Sequence, residues 1–152
     1  MTEGAHFECV TFTELGVQRL YEVMHLRQLV FVVEQECIYL DADLLDPVSL
    51  HLLGVQQDQL VAYARLIPAG VVYDDHAAIG RVVTAPTVRG SGLGRALVDR
   101  AVVECRRAWP QQDLKLSAQA RLQRFYEVYG FSKVGDEYLE DGIPHIAMTR
   151  GF

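Results

Sequence analysis

Apolar positions along this chain recur with two spacings, every second residue or every third and fourth, and the switches between them mark its elements. Phe7 to Phe12 reads as a strand. Thr13 stands where it would cap a helix carrying Leu15, Leu20, Tyr21 and Met24 at helical spacing. A second helical stretch, Leu26 to Val33, leads into an acidic loop from Glu34 to Asp46. Leu50 to Gln56 and Leu60 to Ile67 are apolar runs of strand length around the polar turn Gln57-Asp58-Gln59, which predicts a hairpin. Ala77 to Thr84 predicts a further strand, followed by a loop with Pro86 and a glycine-rich segment. Leu93, Leu97, Ala101 and Cys105 stand at every fourth position beside Val98 and Val102, so Leu93 to Ala108 predicts a helix that ends before Pro110. Leu114 to Ala118 predicts a short strand, and Arg121 to Tyr129 a helix with Gly130 as its left-handed cap. Phe131 to Val134 and Ile143 to Met148 close the chain as strands. The order β-α-α-β-β-β-α-β-α-β-β predicts one mixed α/β (α+β) domain over residues 1–152.

Composition narrows the function more than the fold. Half of the 152 residues are apolar, enough for a core, yet no apolar run approaches the roughly 18 residues of a membrane span. The net charge of −6 is spread unevenly: residues 1–76 hold three Lys/Arg against twelve Asp/Glu, and residues 77–152 hold eleven against eight. Such a chain lacks the basic face of a nucleic-acid binder, and its asymmetry suits an anionic ligand behind and a cationic one in front. Cys9, Cys37 and Cys105 are widely spaced and read as reduced thiols, and the start lacks the segments of a secretory signal. Both features predict a cytoplasmic protein. Cys37, Asp41, Asp43, Asp46 and His51 miss the calcium-loop spacing and the paired ligands of a zinc site, so no metal is expected. The acidic loop therefore reads as solvated or facing substrate.

The glycine-rich segment carries the first specific chemistry. Gly90, Ser91, Gly92, Leu93 and Gly94 lie between a strand and a helix, with Arg89 and Arg95 at the two ends. Free N–H groups in a helix's first turn and close backbone approach at glycine make such a turn an anion cradle. The spacing excludes the P-loop, because Arg95 stands where the second glycine belongs. It also excludes GxGxxG, whose third glycine would fall on Arg95 or Leu97.

Arg89-Gly90-Ser91-Gly92-Leu93-Gly94 resembles the [Q/R]-x-x-G-x-[G/A] signature of the GCN5-related N-acetyltransferase (GNAT) superfamily. Phe125-Tyr126-Glu127-Val128-Tyr129-Gly130-Phe131 is similar to its LYExxGF segment. The front resembles the ElaA-like branch in Leu26-Arg27, in Val30 to Gln35, in Cys37, Tyr39, Asp41 and Asp43, and in Ala62 to Arg65. Glu140 to Ile146 extends the likeness to nearly the whole chain. The resemblance implies the GNAT acyl-CoA N-acyltransferase fold, a mixed sheet of six or seven strands with about four helices and splayed parallel strands at the coenzyme site.

It also implies acetyl-CoA as co-substrate, with the pyrophosphate on Gly90 to Arg95 and the pantetheine arm along Val82 and Val83. An amine, on a small or peptidic acceptor, attacks the thioester directly. Tyr126 falls at the family's general-acid position. Gln119 replaces the more common Asn seven residues before it. The family's strand glutamate is missing, since Ala77 to Val83 holds no carboxylate. The base then comes from Glu34, His51, Glu140, His145 or a water relay. A non-catalytic acyl-CoA-binding domain, and acyl transfer from a carrier protein, share most of these features. A homodimer follows only by analogy.

Overall fold

The computed structural model describes residues 4–152, and its first element, β1 (His6–Thr11), turns directly into α1 (Phe12–Arg27). Thr11, not Thr13, caps that helix. Its hydroxyl accepts from the Glu14 N–H while the Glu14 carboxylate accepts from the Thr11 N–H, so two end donors are satisfied reciprocally. The second predicted helix is not separate, because Gln28–Glu34 continues α1 in wider π-helical turns.

β2 (Leu50–Gln56) and β3 (Gln59–Ile67) form the expected hairpin. Gln57 and Asp58 both take left-handed backbone (φ 51° and 61°), the geometry that suits the twist of a two-residue turn. β4 (Ala77–Thr84) pairs with β3, α2 (Leu93–Ala108) crosses over, and β5 (Leu114–Gln119) returns parallel to β4. α3 (Gln123–Glu127) is shorter than the predicted 121–129, its start being a 3₁₀ turn over Ala120–Leu122. The closing hairpin pairs β6 (Ser132–Glu140) with β7 (Ile143–Arg150). β6 is more than twice its predicted length, because an irregularity between Val134 and Tyr138 erases the alternation that would reveal it.

The seven strands lie in the order β1-β2-β3-β4-β5-β7-β6. α2 buries Leu97, Val98, Ala101 and Cys105 against Leu52, Leu66, Leu114 and Met148 on one face. Alternate residues of the same strands, Leu53, Val55 and Tyr63, pack with Val23, Leu26 and Val30 of the front helical run on the other. What positions the site is a failure of pairing. β4 and β5 meet only at Ala77–Leu114 and Ala78–Lys115 and then part. β4 is irregular just there: its register with β3 shifts opposite Arg81, which takes a left-handed φ of 49°. The splayed parallel strands expected from the resemblance are present.

Candidate active site

The parting of β4 and β5 opens a cleft of about 680 Å³. One wall is Gly80 to Thr84 of β4 and the other is Leu116 to Gln119 of β5, with α3 behind and residues 30–39 in front. Val82 and Val83 lie on the β4 wall, and among the described residues no strand pairs with that edge beyond Ala78. Its backbone groups are therefore available to an extended ligand.

The glycine turn sits beyond the end of β4. Gly90 and Gly92 are left-handed (φ 81° and 85°), and a Cβ at either would meet nothing, so the turn is open toward solvent. Gly92 is the N-cap of α2 and no side chain among the described residues caps that helix, leaving first-turn donors of Leu93, Gly94 and Arg95 for an external acceptor. Ser91 is exposed and its hydroxyl donates to the Val88 carbonyl at 2.5 Å, so it steadies the loop. Arg95 is exposed on the first turn of α2. These features fit a phosphate-bearing coenzyme. Arg89 lines the cleft but is paired to Glu34 at 2.7 Å.

Tyr126 lies in the cleft at 6 % exposure, edge-on to Phe125 and Phe131. Burial alone pushes its phenol up to about 12, so it holds its proton throughout the neutral range. Its backbone is fixed by the end of α3. The Phe131 N–H returns to the Tyr126 carbonyl (3.4 Å) and the Gly130 N–H to that of Glu127 (3.0 Å), with Gly130 left-handed at φ 86°. The sequence Tyr-Glu-x-x-Gly-Phe is thus a helix stop that holds a tyrosine. Gln119 lines the wall of β5, and its amide lies 3.5 Å from Gln35 across the cleft.

Of the four base candidates, three reach the cleft. Glu34, Glu140 and His145 line it, whereas His51 does not. His51 is fully buried, with Nδ1 2.7 Å from the Tyr63 hydroxyl and Nε2 2.9 Å from the Asp46 carbonyl. Burial drives its pKa down, and the nearby Arg27 and Arg65 add to that, so it is a neutral structural ring. Its candidacy as a base is withdrawn.

The acidic loop also departs from expectation. Asp41 and Asp46 are buried and paired, while Ile38, Leu40 and Leu44 of the same loop are exposed and Cys37 and Tyr39 line the cleft. Arg27, fully buried, donates from Nε to Asp41 (2.9 Å) and from Nη1 to Asp46 (2.7 Å). Arg65 forks onto Asp43 (2.7 and 2.8 Å) and reaches Asp46 at 3.0 Å. Arg81 donates to Asp41 (2.9 Å) and lies over the Tyr39 ring. Three cations and three carboxylates balance, and this clasp presents Tyr39 and Cys37 to the cleft. Arg65 and Arg81, placed inside apolar strands, point in sequence to acidic partners without showing which acids those are. Among the described residues no group of three or more His, Cys, Asp or Glu could hold a metal ion, and no helix is long and apolar enough to cross a membrane.

Comparison with known proteins agrees with this geometry. A family model described as Acetyltransferase (GNAT) domain matches residues 30–152. A UPF0039 protein of Synechocystis is 48 % identical over 90 % of this chain and 89 % of its own length. Protein ElaA of Escherichia coli is 43 % identical over 91 % of each chain, and its crystal structure superposes with a TM-score of 0.90 over 96 % of this chain and 99 % of its own. An acyl-CoA N-acyltransferase from Pseudomonas aeruginosa gives a TM-score of 0.92 at 43 % identity, over 97 % of this chain and 99 % of its own.

Proposed function

The chain belongs to the GNAT acetyltransferase family, and from that membership we propose that it transfers an acetyl group from acetyl-CoA to a primary amine of a small or peptidic acceptor. The observation that carries this reading is the cleft between β4 and β5, with an uncapped glycine turn at its mouth and a protonated tyrosine inside it. Gly90 to Arg95 would hold the pyrophosphate through backbone donors, and the free edge at Val82 and Val83 would pair with the pantetheine arm. Gln119 offers an amide from the opposite wall.

Acetyl-CoA supplies an activated acyl group, so the protein has three tasks: to bind it, to bring a neutral amine to it, and to protonate the departing sulfur. Tyr126 suits the last task. Its phenol is a donor throughout the neutral range, and it makes no hydrogen bond to another described residue that would occupy its proton. Purified protein given acetyl-CoA and a panel of polyamines, amino acids, aminoglycosides and peptides is expected to release thiol with particular amines only. Tyr126→Phe is expected to lower that rate by about 10²-fold while acetyl-CoA binding persists. Coenzyme binding without release on any amine would favour a non-catalytic acyl-CoA-binding domain. Failure to bind acetyl-CoA would remove the reading altogether.

A further inference from the structure

We infer that the base for this reaction is the Glu140–His145 pair, with the proton exchanged at His145 Nε2; the inference rests on the acetyltransferase reading above. An amine acceptor arrives as an ammonium ion with no lone pair, and β4 supplies no carboxylate between Ala77 and Thr84 to deprotonate it. His51 is sealed in the core by two hydrogen bonds. Glu34 spends its carboxylate on Arg89 at the coenzyme turn.

His145 is arranged differently. It projects from β7 beside Gln119 of β5, at 9 % exposure, into the cleft that also holds Tyr126. Its Nδ1 lies 2.7 Å from the Ile143 carbonyl, and a carbonyl only accepts, so Nδ1 carries a proton. Nε2 is then the nitrogen left to act as the base. The Glu140 carboxylate stands 3.2 Å from Nε2, a counterion for the charged ring. Tyr138 of β6 stacks on the imidazole at 6.3 Å, and its hydroxyl is tied to Ser117 of β5, so the ring cannot turn freely. Other titratable groups nearby are Asp141 in the turn, Cys37 against the Asp141 carbonyl, Arg121 on Gln119, and Tyr73 beside Tyr138 and Glu140. Burial first, and then Tyr138 and Glu140, raise the Tyr73 phenol, so it stays neutral.

In the step this assigns, Nε2 takes one proton from the ammonium and frees the nitrogen lone pair. The nitrogen attacks the acetyl carbon, the N–C bond forms and the C–S bond breaks. Tyr126 gives its proton to sulfur and is reprotonated by the second proton leaving nitrogen. The imidazolium passes the first proton to solvent. Ammonium and thioester become amide, thiol and one free proton, which balances.

The test has two arms on the full chain with CoA bound. Nitrogen-15 NMR of labelled histidine should show a neutral His145 ring protonated at Nδ1, with Nε2 titrating. A neutral ring protonated at Nε2, or one that never titrates, overturns the proposal. In the kinetic arm, His145→Gln should lower kcat/KM by about 10²-fold or more toward the amine that wild type acetylates, with loss of the acidic limb of the pH profile. Toward hydroxylamine, which is already unprotonated at neutral pH, the same variant should lose far less. Glu140→Gln, at a half-exposed position, should show a smaller loss of the same kind. Equal losses with both nucleophiles would make His145 merely structural and overturn the inference. If wild type binds no CoA, the acetyltransferase reading falls first; if it binds CoA and the ring behaves otherwise, only this inference falls.

Discussion

Gly130 holds Tyr126 in place more directly than any side chain does. It takes the left-handed turn that lets two N–H groups fold back onto α3, and one of those bonds ends on the Tyr126 carbonyl. A Cβ at Gly130 would stand 2.8 Å from Arg150 Nε, which donates to the Tyr129 carbonyl at 2.6 Å. Gly130→Ala therefore meets two costs, the left-handed backbone itself at roughly 1–2 kcal/mol per residue and displacement of an arginine that caps the same helix end. The expected result is a protein destabilised by at least about 1–2 kcal/mol, measured as a lower urea midpoint at unchanged slope. An unchanged midpoint would mean that the turn relaxes without consequence and that the motif's glycine serves something else.

Between elements, the arginine–aspartate clasp fastens the segment between α1 and β2 to β3 and β4. Arg27 alone joins Asp41 and Asp46, and it is completely buried. Arg27→Ala strands two buried carboxylates without their main cation, a change that costs about 3–5 kcal/mol when one member of a buried pair is removed. Arg27→Lys retains the charge but not the planar fork, so it should fall between wild type and Ala in thermal melts. A melt of Arg27→Ala matching wild type would show that the remaining arginines suffice. The clasp also explains what the sequence could and could not disclose. The hairpins, the α2 stripe and the Tyr126 helix stop depend on neighbours within a few residues, and they were legible. Asp41 meets Arg27 and Arg81 across 14 and 40 positions, so in sequence it is indistinguishable from a solvated acid. His51 misled for the same reason, because its partner Tyr63 lies across the hairpin. β6 stayed hidden because its irregular middle breaks the period of two.

Across the whole molecule these buried charges set how folding responds to acid. His51 is held below its ordinary 6.5 chiefly by burial. Its folded pKa is depressed, so its contribution is complete above about 6.5 and fades as pH falls through the lower folded value. Asp43 adds a second stage. Burial alone would favour its neutral form, but hydrogen bonds from Arg65 and the Leu45 N–H, with the Arg65 and Arg81 charges, outweigh that and hold it at about 2 instead of 3.8. Asp46 is lowered in the same direction, its burial overcome by Arg27 and Arg65. For both carboxylates the stabilisation is present above about 3.8 and is lost as the pH falls through the lowered folded value, about 2 for Asp43. In every case the unfolded chain binds a proton that the folded chain refuses, so stability must decline on acidification. Melting temperature should therefore hold level near neutrality, begin to fall below about 6.5, and fall again below about 4. Asp43→Asn should start from a lower melting temperature and show a shallower second fall. A second fall of wild-type depth in that variant would assign the acid response to carboxylates outside the clasp.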